Sequence, residues 1–420
     1  MNTNATHSST PSAPLVMDPQ LDRRHRRGLI GRVIFMASIG VAILALFALL
    51  YNIFNQSFGL VIYVSKIQPD TLASVPLDEL SRDELVEILE ANVSAGLFRR
   101  FESEVPMAER SQADVLELVL ERVVEPEIVE VHGLQDSLLN QREILANAAE
   151  KYDRPSYEFR SWVSPNFITS PQSNEPQFAG IRTAILGSLW VIAITIATSF
   201  PIGVGAAVYL EEYASDNWLN RIIQTNINNL AGVPSIIYGI LGLAIFVRLL
   251  EPLTSGAAFG VLESGTTANG RTILSAGLTL ALLVLPLIII NAQEAIRAVP
   301  SSLRQASYGL GATKWQTIWH HVLPTALPGI LTGTILAMSR ALGETAPLVV
   351  VGASTFIPVD PSGPFSKFTT LPIQIYQWTS RPQESFRFIA GAAIVVLMAL
   401  LLMLNTTAII LRNKYSRKLA

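Results

Sequence analysis

Arg340 and Glu344 stand four residues apart, with Thr345 beside them, in an apolar run that begins after Pro328 and reaches about Phe356. Residues four apart share one face of a helix, so the guanidinium and the carboxylate can meet. Pro328 to Arg340 is about 18 Å of helical rise at 1.5 Å per residue, which is near the middle of a hydrocarbon layer about 30 Å thick. An arginine at that depth costs roughly 2.5–3.5 kcal/mol on insertion scales, so it must face a partner or a water-filled path. Two roles fit. The pair can pack helix bundles together as an i,i+4 ion pair. Alternatively, the planar guanidinium offers parallel donors to a travelling oxyanion. Glu344 then occupies Arg340 between cycles, and Thr345 adds a hydroxyl.

Other chemistry is sparse. The chain has no cysteine, which excludes disulfides, thiolate metal sites and cysteine nucleophiles. Its five histidines show no HExxH spacing, and neither a GxSxG run nor a P-loop is present, so no zinc site, hydrolase or bound ATP is expected. Nothing in the pattern points to nucleic acid. Pro234, Pro286 and Pro347 fall within apolar runs, where each is expected to interrupt or loosen a helix; irregular backbone at that depth is tolerated where it lines a cavity.

The elements that must carry these residues are membrane spans. Half of the 420 residues are apolar and only 15% are charged, against about a quarter charged in soluble chains. Runs over 33–54, 181–208, 230–250, 273–292, from 328 to about 356, and 388–411 are each long enough to cross. Six transmembrane helices put both termini on one side. Arg23, Arg24, Arg26 and Arg27 before the first run, and Arg412, Lys414, Arg417 and Lys418 after the last, make that side cytoplasmic. The expected organisation is a disordered basic tail over 1–32, an uncleaved anchor helix over 33–54, an external segment over 55–179, a core of five further spans over 180–412, and a basic tail over 413–420.

Charge supports that division. Residues 55–179 hold 22 of the 33 acidic and 10 of the 30 basic residues, a net of −12 that leaves +9 to the rest. Ser81 with Glu84 forms a capping box ahead of Leu85, Ile88, Leu89 and Val93 at helical spacing. Ser111 opens a second helix with Val115, Leu118 and Val119, and Leu134, Leu138, Leu145, Ala149 and Tyr152 mark a third. Three amphipathic helices sharing one small core suit a spacer or a scaffold for a partner.

The loop over 293–325 lies between the fourth and fifth spans. A short helix is expected to end at Pro300, with Ser301 and Ser302 capping the next. That next helix carries small residues at Ala306, Ser307 and Gly311, where another surface can approach the backbone. A second segment with Trp315, Ile318 and Trp319 is expected to stop before Pro324. Two short helices and an exposed turn make a docking knob.

At Gln305, Ala306, Ser307, Gly311, His321, Leu323 and Pro324 this loop resembles the EAA loop of ABC importer permeases, with its spacing intact and with Gln, Ser and His replacing Glu, Ala and Ile. The segments 201–214 (PIGVGAAVYLEEYA), 231–243 (AGVPSIIYGILGL) and 339–349 (SRALGETAPLV) are similar to the PstA family of phosphate importer permeases. The likeness extends over about 180–412 and is weak before it. It implies an all-α integral membrane protein with the type I ABC importer permease fold, here with an external helical insertion, in a bacterial inner membrane. It also implies that the chain forms half of the pathway for inorganic phosphate and docks its ATPase through Gln305, Ala306, Ser307, Gly311, Leu323 and Pro324. The implied partners are a PstC-like permease subunit, a PstB-like ATPase dimer that hydrolyses the ATP, and a PstS-like phosphate-binding protein; no cofactor is expected on this chain. A sulfate or molybdate permease, and a membrane-anchored sensor or scaffold, are the rival expectations.

Overall fold

The structure, a computed structural model, describes residues 19–73, 75–260, 269–353, 356–357 and 359–416. Residues 1–18 of the expected tail, and Arg417 and Lys418, lie outside those described. Two compact units are present, Met1–Asn52 and Ile53–Ala420. The first consists of most of helix α1 (Pro19–Ser57), so the arginines at 23–27, expected in a disordered tail, are helical.

Among the described residues five helices are long and apolar enough to cross a membrane, and a bent pair supplies a sixth candidate. After α1, the 55–179 segment contributes strand β1 (Phe58–Ser65), helices α2 (Arg82–Asn92), α3 (Ala95–Glu104) and α4 (Gln112–Val119), strand β2 (Pro126–Val131), helix α5 (Gln141–Lys151) and strand β3 (Ser156–Ser161). The bundle then follows as α6 (Arg182–Tyr213), the bent pair α7 (Trp218–Ala231) and α8 (Ser235–Leu249), and α9 (Ile273–Arg297). Helix α10 (Ser301–Gly309) precedes α11 (Lys314–Gly343), and α12 (Ala346–Val351), α13 (Leu371–Thr379) and α14 (Ser385–Ser416) complete the chain.

Prolines decide where spans break. The ring of a proline collides with the carbonyl four residues earlier and supplies no N–H to it. Pro234 therefore ends α7 a few residues before itself, and the pair bends by 106°. The third span is not the straight 230–250 helix expected from hydropathy. Pro347 acts in the same way on the carbonyl of Gly343, where α11 stops, so the fifth span ends well short of residue 356. Pro286, expected to break the fourth span, instead lies buried within a continuous α9.

The inserted segment departs from an all-helical design. The expected capping box of Ser81 with Glu84 forms, Ser111 makes a second with Asp114, and Leu85, Leu89, Val115 and Val119 are fully buried in one cluster. The third expected helix is split at Asn140, with α5 as its second part. Its buried positions are Ile144 and Ala148, while Leu138 is exposed. That face packs on Leu60 and Ile62 of a three-stranded antiparallel sheet in the order β2-β1-β3. One common helical core is thus replaced by a helical cluster and a separate sheet layer.

At the edge strand β2, Glu130 gathers Lys151 Nζ at 2.6 Å, the Tyr152 hydroxyl at 3.0 Å and His132 Nε2 at 3.3 Å. The Lys151 ammonium foremost holds the Glu130 carboxyl below the usual carboxylate range, and Glu130 raises Lys151 in return. The depressed carboxyl stabilises above its ordinary value of 4.5 and loses that contribution as pH falls through its folded value. The raised ammonium stabilises below 10.5 and loses its contribution as pH climbs through its own. Hydrogen-exchange protection of residues 127–131, relative to the intrinsic rate at each pH, is therefore expected to fall below about pH 4.5, and Glu130→Gln to flatten that dependence.

Candidate functional site

Arg340 lies in the last turn of α11, and Glu344 caps that helix in extended conformation (φ −74°, ψ 127°). Arg340 Nε and Glu344 Oε1 are 3.4 Å apart; the arginine side chain is 44% exposed and the carboxylate 16%. The two are not on one continuous helical face as expected from spacing. They meet across the break that Pro347 imposes, and Thr345, half-buried, is the N-cap of α12. An arginine at a helix C-terminus is favoured by the dipole, and a half-exposed guanidinium keeps donors free beyond the single bond to Glu344.

The second break stands opposite the first. Gly239 of α8 lies so close to α12 that a Cβ there would sit 2.7 Å from Pro347 Cα, an approach that only glycine permits. Tyr238, next to it, is buried and donates its hydroxyl to the Leu230 carbonyl at 2.7 Å. Pro234 had denied that carbonyl its helical partner. Ser339 donates to Asn405 Oδ1 at 2.7 Å and so ties the end of α11 to α14. Two interrupted helices, one carrying an arginine, thus converge on one place, the arrangement by which broken spans hold ions.

The loop over 293–325 forms a helical hairpin. Pro300 is the N-cap of α10, and neither Ser301 nor Ser302 caps it as expected; Thr313 with Gln316 makes a capping box for α11 instead. The second helix does not stop before Pro324. A wide turn over Ile318–Val322 carries it past Pro324 and on through the membrane segment.

The expected docking residues divide. Gln305, Ala306 and Gly311 are exposed, with Gly311 at φ +82° in the turn. Ser307 is buried and bonds the Thr317 hydroxyl at 2.8 Å across the hairpin, which gives its departure from alanine a structural purpose. Leu323 packs into the apolar cluster beneath, and Pro324 is half-buried. The exposed tip also presents Leu310, 90% exposed, with Trp315 and Trp319 stacked at 5.5 Å.

Spacing along the chain gave no sign of what anchors this hairpin. Arg297 grips Glu211 at 2.6 and 3.2 Å. Arg304 holds Glu212 at 2.8 Å and also donates to the carbonyls of Ile296 and Val299, at 3.0 and 2.7 Å. Both carboxylates belong to the end of α6, 86 and 92 residues away. The Arg304–Glu212 side chains are 20% and 7% exposed. Glu212→Gln leaves that arginine without a counter-charge, and a loss of about 2 kcal/mol is expected, between the exposed and buried limits for ion pairs. A lowered Tm of the purified protein checks it.

The family model described as "Binding-protein-dependent transport system inner membrane component" matches residues 199–415, from the middle of α6 through both breaks and the hairpin to the end of α14. The chain belongs to that family. It is a multi-pass inner-membrane transport component, and its family region leaves out the inserted 55–179 segment. The "Probable ABC transporter permease protein YqgI" of Bacillus subtilis (strain 168) is 34% identical over 227 residues, 54% of this chain and 69% of the relative. The phosphate transport system permease protein PstA 1 of Mycobacterium tuberculosis (strain CDC 1551 / Oshkosh) is 35% identical over 248 residues, 58% of this chain and 74% of the relative. The phosphate transport system permease protein PstC of Pasteurella multocida (strain Pm70) is 32% identical over 250 residues, 57% and 78% respectively.

Proposed function

We propose that this chain is a permease subunit of an ATP-driven importer of inorganic phosphate, forming half of the membrane pathway. The observation that carries this function is Arg340, held by Glu344 at the break between α11 and α12 with α8 packed against α12. Its guanidinium keeps donors for an oxyanion, and the relatives bearing this region are named for phosphate transport. Glu344 limits how tightly an anion is held, and an anion held too tightly is never released. Thr345 adds a hydroxyl to the path.

ATP is hydrolysed by a separate ATPase, which docks on Gln305, Ala306, Gly311 and the aromatic tip, while Ser307, Leu323 and Pro324 hold the hairpin in shape. A second, PstC-like permease completes the pathway over a PstB-like ATPase dimer, and a PstS-like protein delivers phosphate. Co-purification of the ATPase, with hydrolysis stimulated by the phosphate-loaded binding protein, tests this assignment. A sulfate- or molybdate-specific stimulation would assign the site to another oxyanion, and a chain that recruits no ATPase would leave a scaffold.

Both termini are cytoplasmic and the inserted segment is external. Reporters fused after Ala420 or at Gly309 are expected to read cytoplasm, and one at Leu120 the outside. A cytoplasmic signal at Leu120 overturns the topology.

A further inference from the structure

Helix α13 and the two residues before it carry an unusual set of buried groups. Thr369, Thr370, Gln374 and Trp378 are each no more than 2% exposed. Thr369 Oγ1, Thr370 Oγ1, both side-chain polar atoms of Gln374 and Trp378 Nε1 have no hydrogen-bond partner among the described residues. Buried polar groups in native proteins are nearly all bonded, because an unmade bond costs the full desolvation of the group. Five orphaned atoms within ten residues call for a ligand.

Their chemistry says which. Two hydroxyls, an amide NH2 and an indole N–H are donors, and the Gln374 carbonyl is the one group of the set that can only accept. A donor-rich site without formal charge suits an anion. Its position agrees. Thr370 lines a void of about 10 Å³ together with Ser188, Ala341, Leu342 and Leu348. Ala341 and Leu342 belong to the turn that carries Arg340, and Leu348 to α12 beyond the break. The void has room for at most a single water-sized group. Ser188 Oγ accepts from the Leu371 N–H at 2.9 Å and pins α13 to α6.

We propose that Thr369, Thr370, Gln374 and Trp378 form a neutral oxyanion-binding stage of the transport path, adjoining Arg340 and opened when α13 draws away from α6. It rests on the phosphate-importer function proposed above. An uncharged stage binds the anion more weakly than Arg340 and so passes it on.

The test uses the complex assembled with its partner permease, ATPase and binding protein in proteoliposomes. Thr370→Val with Gln374→Met keeps the volume and removes three orphaned atoms. The double variant is expected to unfold no earlier than wild type and to take up phosphate at least tenfold more slowly, since each of the two donors lost carries about that weight toward a charged group. Thr370→Ser keeps the hydroxyl and should keep uptake, while Thr370→Val alone should reduce it, so the single changes decide the matter if the double variant fails to assemble. Wild-type rates in the valine and methionine variants, or an equal loss in Thr370→Ser and Thr370→Val, overturn the binding stage and leave the importer function standing. A wild-type complex that moves none of phosphate, sulfate and molybdate overturns both.

Discussion

A complex carrying Arg340→Gln together with Glu344→Gln is expected to assemble, keep its ATPase and import almost no phosphate. The two side chains meet at 3.4 Å, and Glu344 is only 16% exposed. Removing one partner would strand the other, and the resulting damage would say nothing about transport. Removing both leaves no uncompensated charge, and with the arginine 44% exposed the lost pair itself is worth little stability. A pair that only packs the helices tolerates the change. A pair that meets the substrate does not. Arg340→Lys sharpens the distinction, because lysine still faces Glu344 but lacks the planar fork. Losing a bidentate, charge-assisted contact of about 1.5–3 kcal/mol per bond predicts a fall on the order of a hundredfold in uptake. Uptake per assembled complex, compared with wild type, is the measurement.

Gly311→Trp is expected to leave the protein folded and inserted but to abolish stimulation of the ATPase. Gly311 has φ +82° and nothing within 4 Å of where a Cβ would stand. The left-handed conformation therefore costs an L-residue about 1–2 kcal/mol, with no internal clash. The indole would project from the turn beside Leu310, into whatever docks there. Gly311→Ala carries the same backbone penalty with little bulk and should retain most of the coupling. Basal and stimulated ATP hydrolysis in the assembled complex separate the two. If the alanine variant is as uncoupled as the tryptophan variant, the strain of the turn is responsible and not its bulk.

Much of the membrane region was legible because apolar length and charge report directly on burial in lipid. The spans at α6, α9 and α14 fall close to their apolar runs. Helix α7 was missed because Asn220, Arg221, Gln224 and Asn226 dilute an amphipathic stretch below the level that hydropathy detects. Pro234 and Pro347 did announce the breaks. Their effect falls on the carbonyl four residues earlier, so the helices end at Ala231 and Gly343 and not at the prolines.

The sheet escaped notice for a different reason. FGLVIYVS is parted from the apolar run of α1 only by Asn55, Gln56 and Ser57 and reads almost as its continuation, and PEIVEV and SYEFRS span only six residues each. Strand pairing between residues 58–65 and 126–161 is a tertiary fact. The same holds for the anchoring pairs Glu211–Arg297 and Glu212–Arg304. Arg340 with Glu344 was legible because four residues is a local distance. The orphaned groups of α13 were not, since Thr370 and Gln374 look like ordinary surface residues until their burial is known.

A strain lacking its own phosphate importer, supplied with this chain and its partner permease, ATPase and binding protein, should accumulate radiolabelled phosphate in an ATP-dependent manner. The Arg340→Gln, Glu344→Gln variant should accumulate almost none at equal expression. Near-normal accumulation by that double variant would return the pair to a packing role, and an assembled wild-type complex that accumulates no phosphate would contradict the account itself.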